Sequence, residues 1–171
     1  MTNLDPKFLK LITDVPDFPK PGVTFKDISP LLGSPLFPEL IQEMADLIRG
    51  GDFDAIAGIE SRGFILGAAV AHETNSGFVP VRKKGKLPPP VFSQSYQLEY
   101  GTDSIEAKAG RGRVVVIDDV LATGGTLNAA AEVLTIAGYT VVDFAVLMDL
   151  KFLNQFKWKN LTAKSLIPIK A

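Results

Sequence analysis

Two adjacent carboxylates, Asp118 and Asp119, close the apolar run Val114-Val115-Val116-Ile117, and Ala122-Thr123-Gly124-Gly125-Thr126 follows shortly after. Neighbouring acids at the end of a buried strand repel each other and resist desolvation. A ligand accounts for such a pair better than a fold does. An ionised Asp only accepts hydrogen bonds, which suits the hydroxyls of a sugar. The small residues beyond the pair suit a different group. Glycine turns with φ > 0 and lets a ligand approach main-chain N–H groups. Those N–H groups at the start of a helix make an anion site fit for a phosphate. Thr123 and Thr126 add hydroxyl donors. Diol-binding carboxylates beside a phosphate cradle describe a site for a ribose 5-phosphate. The plain alternative, a strand cap and a turn, leaves the paired acids unexplained.

Other residues could grip an anion. Glu60-Ser61-Arg62-Gly63 stands between an apolar run and a helical pattern, where a phosphate loop would stand. Main-chain N–H groups and the Arg62 fork suit phosphate oxygens there. Arg82, Lys83, Lys84 and Lys86 cluster at the start of a long polar insert. Such clusters are ordinarily solvated surface, so their position carries the argument more than their charge. Neither G-x-x-x-x-G-K-[ST] nor a G-x-G-x-x-G after a strand is present, which excludes a P-loop and a dinucleotide fingerprint. The chain has no cysteine and one histidine, His72, which excludes thiolate chemistry and sites with two or more His ligands. His72 and Trp158 are assigned to packing or subunit contact.

The elements that must position these residues are legible from periodicity. Asp5-Pro6 reads as the start of a short helix. Residues 15–30 are rich in proline and poor in period, and read as an ordered loop. Phe37, Leu40, Ile41, Met44, Leu47 and Ile48 predict an amphipathic helix over about 36–49, begun by Ser34-Pro35. Strands are predicted at 53–59, 78–82, 113–117, 140–148 and 164–169, and helices at 63–74 and 125–137. Strand–helix alternation with nearly continuous apolar strands predicts an α/β fold, a parallel sheet covered on both faces. The insert at 83–112 is too long for an ordinary connection and is a lid or a hairpin arm. No repeat or linker divides the 171 residues, so a single domain spanning 1–171 is expected.

Composition narrows the class. Hydrophobic residues make up 46% and charged residues 22%, as in an ordinary soluble globule. The net charge of −1 provides no basic field for nucleic acid. MTNLDPKFLK lacks the apolar region of a signal peptide, and no apolar run reaches membrane-span length. A cytoplasmic protein with no nucleic-acid or membrane partner is expected.

The stretch VVVIDDVLATGGT resembles the 5-phosphoribosyl 1-pyrophosphate motif of the type I phosphoribosyltransferases, and DDVLATGGT is similar to the adenine-specific version. PDFPKPGVTFKDISPLL (16–32) resembles the family's base-binding segment, and GIESRGFILG (58–67) its pyrophosphate loop. VRKKGKLP (81–88) and SYQLEYG (95–101) resemble the two ends of its catalytic arm. Past Lys151 the pattern fades. The resemblance implies a Rossmann-like parallel-sheet fold with a small N-terminal hood (1–33) and a flexible catalytic arm (83–112). It implies transfer of the phosphoribosyl group to adenine, giving AMP and pyrophosphate, in a homodimer.

It also implies roles. Asp118, Asp119, Ala122, Thr123, Gly124, Gly125 and Thr126 would hold the ribose phosphate. Glu60, Ser61, Arg62, Arg82, Lys83 and Lys86 would hold pyrophosphate, one arm lysine reaching across the dimer. Family members often carry a cis peptide where this chain has Glu60-Ser61. Phe25 would stack on adenine, the Thr24 and Lys26 backbones would read its edge, and Leu121 would close the far side. Glu99 would manage the proton at purine N7, with Tyr100 covering the site and Arg62 steadying the leaving group. Mg²⁺ would bind mainly the substrate's own oxygens and water, so the resemblance names no protein ligand for it. Two alternatives remain: a phosphoribosyltransferase for another base, and a regulator that keeps the pocket without catalysis.

Overall fold

The computed structural model describes residues 6–98 and 101–170. Asp5, Glu99 and Tyr100 therefore lie outside the described residues. A short helix, α1 (Pro6–Leu9), buries Phe8. The stretch expected as a loop then contains two strands and a helical turn. β1 (Thr13–Val15) pairs antiparallel with β2 (Phe25–Asp27), and α2 (Ser29–Leu32) follows. The strands escape a periodicity reading because each is three residues long. A cross-strand contact stabilises them instead: Lys26 Nζ sits 2.7 Å from Asp14 Oδ1. The expected amphipathic helix is α3 (Phe37–Ile48), with Leu40, Ile41, Met44 and Ile48 buried along one face. Ser34 braces its approach by accepting the Leu36 N–H at 3.2 Å.

The alternating pattern begins at β3 (Ala55–Ile59), followed by α4 (Arg62–Glu73) and β4 (Gly77–Lys83). The long insert is a hairpin, β5 (Phe92–Leu98) and β6 (Gly101–Ala107). It is joined to the main sheet by β6, which pairs antiparallel with β4 at Arg82↔Glu106 and Lys83↔Ile105. Then come β7 (Gly112–Leu121), α5 (Gly125–Ile136), β8 (Tyr139–Leu150) and β9 (Ala163–Ile169). Among the described residues the large sheet has the order β5-β6-β4-β3-β7-β8-β9. Its β4, β3, β7, β8 and β9 strands are parallel.

Both faces are covered, as the apolar strands require. Val114 and Val116 of β7 pack with Leu127, Ala130 and Leu134 of α5. Val115 and Ile117 pack with Leu40 and Met44 of α3 and Leu66 and Val70 of α4. Odd and even positions of one strand thus enter two separate cores. Each such fully buried aliphatic side chain contributes roughly 1.5–3 kcal/mol.

One boundary matters for the site. β7 was expected over 113–117, but it continues to Leu121. Its pairing with β8 runs through Asp118↔Val146, Val120↔Met148 and Leu121↔Asp149. The acids stand inside a paired strand and not beyond its end. Backbone hydrogen bonds to a neighbouring strand carry these residues, and a hydrophobicity pattern does not reveal such bonds.

Candidate functional site

Successive strand residues face opposite ways, so Asp118 and Asp119 diverge from one backbone position. Asp119 is buried at 6% exposure. Burial raises the Asp118 carboxyl well above the usual range, and the charge of Asp119 adds to the rise. Burial also raises Asp119, while the Arg62 guanidinium opposes the shift. Two contacts hold the pair. Asp118 Oδ1 accepts the Asp119 N–H at 2.9 Å. Arg62 Nη2 lies 2.8 Å from Asp119 Oδ2. That oxygen has no partner in hydrogen-bond geometry, so the Arg62 contact is an attraction of charges. The first turn of α4 approaches closely. A Cβ on Gly63 would lie 2.8 Å from Asp118 Oδ1, so only glycine fits there.

Beyond Leu121 the chain turns into α5. Gly124 has φ of +90° and occupies the N-cap. A Cβ there would also lie 3.0 Å from the Phe156 ring, so strain and contact both favour glycine. The first N–H groups of a helix have no intrahelical acceptor and point outward. In α5 these belong to Gly125, Thr126 and Leu127. Ala122, Thr123, Gly124 and Thr126 line a cavity of about 750 Å³. That volume suits a small-molecule ligand.

The cavity has three walls. The loop and Leu121 form one, and Val23, Thr24 and Lys26 of the N-terminal segment form the second. Leu150, Phe152 and Leu153, at and after the end of β8, form the third. Thr24, Lys26 and Leu121 all line this one cavity. Phe25 is not among the lining residues. Its ring meets Phe18 edge-on at 5.2 Å and carries the Arg62 guanidinium 4.5 Å from its centroid. Arg62 Nη1 also donates to the Lys26 carbonyl at 2.9 Å. One arginine thus ties the N-terminal segment to the acid pair.

The Glu60–Ser61 peptide is cis. The Glu60 carboxylate accepts from Arg82 Nε at 3.2 Å, Arg82 Nη2 at 3.3 Å and the Lys83 N–H at 3.0 Å. The Arg82 hydrogen bond holds its carboxyl below the ordinary value. Arg82 Nη1 donates to the Lys86 carbonyl at 3.0 Å, and Lys83 Nζ lies 3.5 Å from Asp103. Ser61, Lys83, Lys84 and Lys86 are exposed. Glu60 is thus a post that fixes Arg82 and the start of the arm.

Some residues at the site had no role in the sequence reading. Tyr96 of β5 packs against the α5 core cluster. Burial raises its phenol above the ordinary value; Asp103 adds to the rise and the Thr126 hydroxyl opposes it. Val23, Phe152 and Leu153 were also passed over. The signal for the last two was present: an apolar pair just after a parallel strand, where loops are usually polar. Among the described residues, no group of three or more His, Asp or Glu side chains could hold a metal by itself.

The phosphoribosyl transferase domain model matches residues 34–157. The chain is 51% identical over 160 residues to the adenine phosphoribosyltransferase of Bdellovibrio bacteriovorus, covering 92% of this chain and 96% of that one. The crystal structure of adenine phosphoribosyltransferase from Thermoanaerobacter pseudethanolicus superposes with a TM-score of 0.89 at 42% identity, covering 95% of this chain and 98% of that one. The structure of the Giardia lamblia APRTase complexed with 9-deazaadenine gives a TM-score of 0.88 at 34% identity, covering 99% and 100%.

Proposed function

The chain belongs to the adenine phosphoribosyltransferase family, and from that premise we propose that it joins adenine N9 to C1 of 5-phosphoribosyl 1-pyrophosphate, releasing AMP and pyrophosphate. The observation that carries this reading is the shared cavity. The Gly124 loop, Leu121, Thr24 and Lys26 line one space. A phosphate and a base held there would be spanned by one ribose.

Each part then has a task. The 5-phosphate takes the N–H groups at the start of α5 and the Thr123 and Thr126 hydroxyls. The ribose diol donates to the carboxylate oxygens of Asp118 and Asp119, which, when ionised, only accept hydrogen bonds. The base lies between Leu121 and the N-terminal segment. Pyrophosphate departs over the Glu60–Arg62 loop, with Arg82, Lys83 and Lys86 near its negative charge. Positive charge grows on the ribose ring as the bond to pyrophosphate breaks, so catalysis consists of positioning and of stabilising the leaving polyanion. Arg62 carries special weight because it touches the acid pair and the base segment together. Glu99 would hold the purine N7 proton and Tyr100 would cover the site.

A divalent cation fits this chemistry. The Asp119 Oδ2 atom is buried with no hydrogen bond and meets the charge of Arg62, and Asp118 adjoins it. Mg²⁺ would be held chiefly by pyrophosphate oxygens and water with these carboxylates nearby, and would supply charge neutralisation of the leaving group. We also propose a homodimer in the cytoplasm. The exposed Ile65 and Phe78, on α4 and β4, offer apolar surface to a second copy. The absence of cysteine suits a reducing compartment. Pyrophosphate release with adenine, hypoxanthine, guanine and orotate tests the reading. Adenine should be turned over far faster than the others. Preference for another base, or binding without release, would overturn it.

A further inference from the structure

Phe152 and Leu153 follow β8 after Lys151, and both line the cavity. They are 53% and 44% exposed, so neither is there to complete the core. The segment that carries them is bonded at both ends. Lys151 N–H donates to the carbonyls of Asp149 and Ile169, each at 3.0 Å, and Leu153 N–H to the Leu150 carbonyl at 2.9 Å. Asn154 Nδ2 donates to Asp149 Oδ1 at 3.1 Å and to the Leu150 carbonyl at 3.0 Å. Its Oδ1 accepts the Phe156 N–H at 3.1 Å. Asp149 is fully buried, and its other oxygen pairs with the Lys151 ammonium. Phe156 closes the chain of contacts. Its ring lies edge-on to Phe144 at 5.0 Å and directly beneath Gly124.

The segment is therefore wired to the phosphate loop at one end and to the sheet at the other. Two large apolar residues stand on it and line the same cavity as Val23, Thr24 and Lys26. We infer that Phe152 and Leu153 form the third wall of the base slot and decide which purines it admits, with Asn154 and Asp149 as the residues that position them. This rests on the proposed function, because it takes the cavity as the seat of the base. The ligand class is a flat heteroaromatic base. An apolar wall excludes water from the ring while leaving its polar edge to the backbone of the second wall. It also limits the size of any substituent on the side it faces.

The test is steady-state kinetics of the full chain with each substrate varied in turn. Phe152→Ala and Leu153→Ala should each raise the KM for adenine, Phe152→Ala by roughly tenfold. The KM for 5-phosphoribosyl 1-pyrophosphate should move less than about twofold, since Gly124 and its neighbours are untouched. Turnover of adenines bearing a bulky substituent at C2 or N6 should improve relative to adenine. Phe152→Leu should restore most of the adenine affinity. Asn154→Ala should raise the same KM in smaller measure, as a positioning residue would. Unchanged adenine KM and unchanged purine preference in both alanine variants would overturn the inference. A parallel rise in both Michaelis constants would also overturn it, because it reports a damaged phosphate loop. If the wild-type protein fails to consume adenine at all, the proposed function has failed and this inference falls with it. An active wild type with insensitive variants refutes only the wall.

Discussion

Replacing Asp118 by Asn should weaken substrate binding and yet stabilise the ligand-free protein. Asp118 lies beside another carboxylate, and its carboxyl is raised first by burial and then by the charge of Asp119. A raised acid favours the folded state below its unfolded value, and that favour is lost as pH climbs towards the folded value. Near neutral pH an ionised Asp118 is thus a cost to the empty fold. Asn keeps an oxygen to accept the Asp119 N–H and removes the charge. Two unit charges about 4 Å apart cost roughly 4 kcal/mol at an effective dielectric near 20. Relief of even a quarter of that, about 1 kcal/mol, raises the melting temperature of a chain this size by about 2–4 °C. The gain should be larger at pH 8 than at pH 5. In the other direction, losing a hydrogen bond to a charged acceptor costs about 1.5–3 kcal/mol. That is about 10- to 150-fold in affinity for 5-phosphoribosyl 1-pyrophosphate. Thermal unfolding with and without that substrate and Mg²⁺ reads both effects. The empty variant should melt above wild type, and saturating ligand should reverse the order. An empty variant that melts lower, or one protected as well as wild type, refutes the reasoning.

Arg62→Ala should raise the Michaelis constants for both substrates, because it removes the Asp119 ion pair and the contacts to Lys26 and Phe25 together; a change confined to one substrate would separate those functions. Glu99→Leu should lower kcat by about 10² to 10⁴ with smaller shifts in KM, the usual range for positioned acid–base help, and Glu99→Gln should be milder; a Leu variant with near-full turnover would reduce the arm to a cover. Trypsin cleavage at the exposed Lys83, Lys84 and Lys86 should slow when AMP is bound. Equal cleavage rates with and without AMP would argue against closure of the arm.

The parts of this molecule that follow from local pattern were legible in its sequence. Val114–Ile117 announces a strand buried on both faces, and Leu40, Met44 and Ile48 announce a helix with one apolar side. The site's small residues were legible too, because the φ of +90° at Gly124 needs glycine. What stayed hidden depends on partners distant in the chain. β1 and β2 pair across a proline-rich turn, and Asp14 meets Lys26 only once that pairing has formed. β7 extends through its acids because β8 lies alongside. The place of Phe25, between Phe18 and Arg62, depends on three segments meeting. The apolar pair Phe152-Leu153 was legible as an oddity for a loop, but nothing in KFLNQF tells which cavity it borders.

The central claim is that one cavity joins phosphate, ribose and base, and the direct measurement is product formation by wild type and Gly124→Val in parallel. Radiolabelled adenine, 5-phosphoribosyl 1-pyrophosphate and Mg²⁺ are supplied, and AMP and pyrophosphate are both quantified. Wild type should form one AMP for each pyrophosphate. Gly124→Val should form neither: a β-branched side chain blocks approach to the backbone of the loop and strains a left-handed residue. Circular dichroism should report that the variant keeps its fold. Pyrophosphate released without AMP, or a folded Gly124→Val with full activity, would contradict the account.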